Sequence, residues 1–249
     1  SGRQRVDVNV EALGAGARVD EALHGAAAGL AHRLGGRRGD ASGDTPAPAA
    51  TADPELVYPT KALPKFLANM AAKPSPALLD LGPGVGGNVS FFGEELGCRI
   101  RVEDVMADIE RHAKAGILDQ LPEFFVTRFK SPPGSVDGIL CWDVFDYLEK
   151  AAAASLATAL TRLLGAEGSL LGFFSTATDP GRAHYTKYIV VDQGNLRYRT
   201  YAGTRVRQRS LQNRDIIKLF ESLRVSDSFL MKTNIREIIF RKPAYLAGL

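Results

Sequence analysis

A doubly wound α/β fold with a mostly parallel sheet is predicted by three observations. The first is a buried-strand pattern, Ala77-Leu-Leu-Asp80, running straight into the glycine-rich turn Gly82-Pro-Gly-Val-Gly-Gly87. The second is what comes next, a helical run from Val89 to Leu96 and then a strand ending on acids, Val102-Glu-Asp104. Strand, glycine turn, helix, strand and acid together mark a nucleoside-bearing cofactor site in an α/β sheet. The third is the succession of apolar strand, alanine-rich helix and apolar strand from Ser135 to Thr176.

Each element has a local cause. Glycine permits positive φ and has no Cβ, so the turn can bring its backbone against a ligand. The unpaired N–H groups of the following helix would then lie beside that ligand. Ser135 to Leu148 reads as a turn, a buried strand and the start of a helix. Ala151 to Leu164 is a strong helix former, broken by Gly165-Ala-Glu-Gly168, and Ser169 to Thr176 supplies the next strand. In the insertion at about 180–210, Lys187 to Tyr201 reads as a β-hairpin turning at Asp192 to Asn195. Leu211 to Leu223 reads as a helix whose apolar side is Ile216, Ile217, Leu219 and Phe220, followed by strands at Val225–Leu230 and Ile235–Lys242.

Gly82, Gly84 and Gly87 satisfy the G-x-G-x-x-G spacing of dinucleotide-binding chains, so spacing alone leaves the cofactor class open. With Gly86 and the preceding Asp80, the stretch resembles the first motif of class I (Rossmann-like) S-adenosylmethionine-dependent methyltransferases. There an acid ends the first strand just before the glycines. The Ser135–Leu148 segment resembles that family's fourth-strand region, and the closing strand pair resembles its antiparallel final hairpin. The resemblance spans Tyr58 to Pro243. It implies a seven-stranded, mostly parallel sheet with a reversed last strand, helices on both faces, and S-adenosylmethionine as cofactor.

Residue by residue, the resemblance places Asp80, Gly82, Gly84 and Gly86 at the methionine portion of the cofactor, with Asn88 as a further cofactor contact. The ribose acid is Asp104 if Gly97 matches the glycine before the second strand, and Glu103 if no gap is allowed. Side chains alternate along a strand, so only one can easily face the ligand; Asp104 is favoured. The acid expected near adenine is missing from Val126-Thr-Arg-Phe-Lys-Ser-Pro-Pro133, leaving backbone groups and Phe129 for that role. Trp142 and Asp143 fall at the mouth of the fourth strand, beside the donor methyl.

Methyl transfer asks a protein chiefly to align a nucleophile with an activated methyl group. A base is needed only for a protonated acceptor. Asp143, Tyr147 and His184 are the candidates, although Asp143 equally suits a cofactor contact or a helix cap, and a loop histidine is commonly a surface one. Trp142 and Tyr147 could offer π faces to a cation or simply pack. On the substrate side stand Tyr185, Arg197, Arg199, Arg205 and Arg207, with Arg209 continuing the alternation. Such a basic face suits phosphate, carboxylate or an RNA backbone, or is merely solvated.

The net charge of only +3 gives nucleic acid little support. A small molecule with an O or N acceptor is therefore the expected substrate. RNA or protein methylation, a catalytically silent cofactor- or partner-binding relative, and a nicotinamide oxidoreductase stand as alternatives. No cluster of histidines and acids has metal-ligand spacing, so no metal is expected. The two cysteines, Cys98 and Cys141, lie beside or within apolar strands, where cysteine acts as a small hydrophobe. No run is long enough to cross a membrane and no leader is visible, which predicts a cytoplasmic location. Residues 1–55 read as a separate arm, with a short amphipathic helix at Val19, Leu23, Leu30 and Leu34 and a flexible linker. That arm could cover the site or meet a second copy; residues 56–249 form the domain.

Overall fold

The computed structural model describes residues 56–177, 184–204 and 211–244. The expected arm over 1–55, its helix and its role as a dimer contact lie outside these residues, as do Arg205, Arg207 and Arg209. The chain runs through β1 (Leu56–Pro59), α1 (Ala62–Ala71), β2 (Ala77–Asp80), α2 (Gly86–Ser90) and β3 (Arg99–Val102). It continues through α3 (Val105–Ala115), α4 (Leu121–Arg128), β4 (Val136–Trp142), α5 (Lys150–Leu163) and β5 (Leu164–Ser175). The hairpin β6 (His184–Asp192) and β7 (Asn195–Ala202) follows, then α6 (Asn213–Leu219), β8 (Arg224–Leu230) and β9 (Ile235–Arg241).

Six strands form the main sheet in the order β3-β2-β4-β5-β9-β8. The four on the β3 side run parallel, while β9 is antiparallel to both β5 and β8. The mostly parallel sheet with its reversed last strand is thus present. Among the described residues it has six strands where seven were expected. The chain between α3 and β4 coils instead: Pro122 sits in the first turn of α4, and Leu121 and Phe125, one helical turn apart, are both buried.

Alternate strand residues feed two cores, as the two-residue period of a strand requires. Leu79, Ile139, Cys141 and Leu170 pack with α3, α4, α5 and α6, whereas Leu78, Leu140, Trp142 and Leu171 pack with α1 and the hairpin. Helices therefore cover both faces of the sheet, with each fully buried Leu or Phe contributing about 1.5–3 kcal/mol. Both cysteines are free, buried members of these cores. Burial raises both thiols, Cys98 to about 11, which keeps them inert as packing groups.

Three local readings are corrected. Gly165–Gly168 does not separate helix from strand but belongs to an irregular start of β5, where Leu164 already pairs with Val136 and Glu167 takes φ +59°. The helix read over Leu211–Leu223 is only Asn213–Leu219. The helix read over Val89–Leu96 begins at Gly86 and widens into a π-turn over Phe91–Glu95, burying Phe91 and Phe92. A second sheet, β1-β7-β6, was not foreseen beyond its hairpin: β1 adds to β7 with Leu56 opposite Tyr198 and Pro59 opposite Asn195. No described helix is long and apolar enough to cross a membrane.

Candidate functional site

Ligands of open parallel sheets bind beyond the carboxyl ends of the strands, where the strand order reverses. Here the chain leaves β2 for β3 on one side and returns to β4 on the other. The crevice so defined lies between the ends of β2 and β4, which are Asp80 and Trp142.

Those two residues are joined. The Trp142 indole N–H donates to Asp80 Oδ1 at 2.6 Å, and the Gly82 backbone N–H donates to the same oxygen at 2.9 Å. Burial pushes the Asp80 carboxyl up to about 6, with the two donors partly opposing it. Trp142 has φ +49°, a costly conformation for a bulky residue, at about 1–3 kcal/mol. Its surroundings hold it there. The ring stacks on Tyr188 at 5.4 Å with an interplanar angle of 5°, and meets the Phe173 edge at 5.6 Å.

The glycines of the turn fall into two kinds. A Cβ on Gly82 would stand 2.7 Å from the indole Cδ1, so this glycine makes room for Trp142. A Cβ added at Gly84 or Gly86 would meet nothing within 4 Å, and both residues are exposed. Among the described glycines only Gly97, Gly116 and Gly134 have positive φ. The positive φ expected of the turn is therefore not used; what the glycines provide is the absence of side chains.

The hairpin is clasped to this turn. Asn88 is buried at the start of the helix; its Nδ2 donates to the Tyr188 carbonyl at 2.9 Å, and the Val190 N–H donates to its Oδ1 at 2.8 Å. Asn88 thus binds the protein's own β6, which nothing in its sequence context signalled.

At the far end of the turn the two acids diverge, as strand alternation requires. Glu103 turns to Arg128 at 2.7 Å and Arg101 at 3.4 Å. Asp104 caps α3 by accepting the Ala107 N–H at 2.9 Å. Asp104 also lines a hollow of about 70 Å³ with Pro83, Met106, Glu110 and Tyr185. Burial raises the Asp104 carboxyl above its ordinary value, and the nearby Lys187 opposes the rise. Tyr185 stacks on Tyr201 at 5.6 Å, and Lys187 Nζ lies 4.7 Å from the Tyr201 ring centre.

The remaining candidates are scattered. Asp143 is buried and precedes a single 3₁₀ turn, Val144–Tyr147, which its side chain does not cap. Its charge helps hold the Tyr198 hydroxyl above its usual range, behind burial and Glu237. Tyr147 has no exposed surface and belongs to the core. Phe129 is also core, beneath the Arg128 guanidinium, and is not at the hollow. Its neighbour Arg128 pairs with Asp108 as well as Glu103, filling with ion pairs the region where an adenine-side acid was missed. His184 opens β6 opposite Ala202; Arg197 and Arg199 face Ile189 and Lys187 across the hairpin. The described residues hold no group of side chains that could bind a metal ion.

Sequence reasoning passed over two buried residues with long-range partners. Tyr188 covers Trp142. Glu237, wholly buried on β9, accepts the N–H groups of Lys61 and Ala62 and so caps α1 from across the sheet. Neither has a local signal, because each partner is distant in sequence.

The donor set suits an adenosyl cofactor: the backbone of Gly84 and Gly86 is bare and exposed, and the Asp104 carboxylate lines a hollow with Pro83 of the same turn. The space is another matter. Sites for cofactors and small ligands enclose about 300–1,000 Å³, and the hollow at Asp104 has about 70 Å³. At the Asp80 end the volume is taken by Trp142 and Tyr188. A larger cavity of about 620 Å³ is lined by Leu148, Ala153, Leu211 and Leu219 and shares no residue with the glycine turn.

No family model and no curated protein matches the chain. Among solved structures it is similar to the 1,6-didemethyltoxoflavin-N1-methyltransferase of Burkholderia thailandensis, at 16% identity over 73% of this chain and 78% of that one, TM-score 0.44. It is similar also to the CcbJ methyltransferase of Streptomyces caelestis, at 13% identity over 73% and 88%, TM-score 0.45. A third is an S-adenosylmethionine-dependent methyltransferase of Clostridium acetobutylicum, at 10% identity over 73% and 91%, TM-score 0.45. At these values the likeness carries no information about the activity or substrate of this chain.

Proposed function

We propose that the chain binds S-adenosylmethionine beyond the ends of β2, β3 and β4 and transfers its methyl group to an O or N acceptor on a small molecule. The observation that carries the reading is one arrangement. Asp80 and Asp104 follow adjacent parallel strands and flank the exposed, side-chain-free backbone of Gly84 and Gly86 at the reversal of the sheet. When bound, the cofactor supplies an activated methyl group on a sulfonium. The two oxygens of Asp104 suit paired ribose hydroxyls, and Asp80 suits the cationic end of the amino acid. Asp143, buried beside the end of β4, is the candidate to receive a proton from the acceptor, with His184 as the candidate on the hairpin. Tyr185, Arg197 and Arg199 are the candidate substrate-side contacts.

Titration calorimetry with S-adenosylmethionine, S-adenosylhomocysteine and NAD tests the reading. Micromolar binding of both sulfur compounds, weakened at least tenfold by Asp104→Ala, supports it. Binding of NAD alone replaces it with a nicotinamide enzyme. A second reading, a catalytically silent relative, is favoured by the filling of the Asp80 end by Trp142 and Tyr188; absence of all binding selects it.

A further inference from the structure

The end of the crevice that would receive the amino-acid part of the cofactor is filled by the protein itself, and the filling has a definite construction. Trp142 projects over Gly82 from a left-handed backbone conformation and hydrogen-bonds Asp80. Tyr188, from the middle of β6, lies parallel to that indole with ring centres 5.4 Å apart, and both rings are buried. Asn88 then ties the backbone on both sides of Ile189 to the glycine helix through the Tyr188 carbonyl and the Val190 N–H. Ile189 itself lies over Gly87, its Cγ2 3.9 Å from where a Cβ would stand. Further along the strand, Tyr185 lines the hollow at Asp104. One strand of the hairpin thus spans the crevice from one acid to the other.

We propose that the β6–β7 hairpin is a built-in plug of the cofactor site, with the Trp142–Tyr188 stack as its bolt, and that the adenosyl cofactor binds by displacing it. This rests on the cofactor reading above. Trp142 and Tyr188 belong to the core, and three features set this part of it apart. Among the described residues the hairpin belongs to a separate three-stranded sheet with no strand pairing to the main one, so its displacement breaks no ladder of the main sheet, although it uncovers the core that Tyr188, Val190 and Leu196 share with Trp142. The bolt occupies the carboxyl ends of the two strands between which the order reverses. And Asp80 is held by Trp142 at the position a cationic ligand would contest. Binding then carries a cost, because only the fraction of molecules with the hairpin displaced can accept the cofactor and the apparent affinity falls by that fraction.

Trp142 is the only tryptophan of the chain, so its fluorescence reports on the bolt alone. The experiment adds S-adenosylhomocysteine to the full chain while following tryptophan emission and acrylamide quenching, with calorimetry in parallel. The second sample is Tyr188→Val, which keeps a strand-forming residue but removes the ring. The expected result is a red shift of Trp142 emission and increased quenching on binding, with Tyr188→Val binding at least tenfold more tightly. If the wild type binds but emission and quenching do not move, the plug is wrong and the cofactor reading stands. If the wild type fails to bind and Tyr188→Val binds, the plug is upheld as a closed lock. If neither folded protein binds, the cofactor reading falls and takes the plug with it.

Discussion

The two ends of one crevice differ in what occupies them. At the Asp104 end, a carboxylate caps its own helix and still lines a small hollow with Pro83, Met106 and Tyr185. At the Asp80 end, a carboxylate of the same origin is buried and spends an oxygen on Gly82 and Trp142. Asp80 ends β2, and Asp104 lies two residues beyond the end of the neighbouring β3, where it caps α3. What separates them is the next layer: Tyr185 leaves room over one, while Tyr188 and Trp142 leave none over the other. Strand-end chemistry defines where a ligand can go, and the element packed above it decides whether it can enter.

The difference can be broken most forcefully at Trp142. Replacing it by alanine is expected to remove about 3–5 kcal/mol of stability, as loss of a large buried aromatic does, and urea unfolding measures the loss. A midpoint near wild type would mean that the indole packs loosely and fills little.

Asp80 is expected to act through pH. Its folded-state value of about 6 lies above the ordinary 3.8, so the folded protein holds that proton more tightly than the unfolded chain. Its contribution is full below about pH 4 and is lost as pH rises through about 6, at most about 3 kcal/mol. Denaturant curves across that interval should fall with pH in the wild type and flatten in Asp80→Asn. Asp80→Ala should weaken the fold as well as any binding, by about 1–3 kcal/mol, because it strands two buried donors.

The glycines sharpen the same contrast. Gly82→Ala drives a methyl group into the indole and is expected to cost about 1–3 kcal/mol, read as a lowered melting temperature. Gly84→Ala meets nothing and should stay within about 0.5 kcal/mol of wild type; a loss of S-adenosylhomocysteine affinity there without a change in stability would mark the bare backbone as ligand-contacting. At the open end, Asp104→Ala should cost about 1 kcal/mol through the lost cap.

Much of the main sheet was legible because its causes are local. Apolar runs bounded by turns gave β2, β4, β8 and β9, and the glycine turn with its acids marked the crevice. The missing strand was not legible: Leu121–Val126 is apolar enough for a strand, and only the helical burial of Leu121 with Phe125 and the Arg128 ion pairs decide otherwise. Likewise Trp142 was placed correctly at the end of its strand, yet its direction depends on Tyr188, 46 positions later.

By itself, then, the sequence determined the α/β class, the order of most elements and the position of Asp80, Asp104 and the glycines, since strand period, turn chemistry and helix propensity act over a few residues. Tertiary structure alone decided that Asn88 grips the hairpin, that Tyr147 and Phe129 belong to the core, and that Trp142 closes one end. Those outcomes are set by contacts between residues far apart in the chain, and no short stretch of sequence contains both partners.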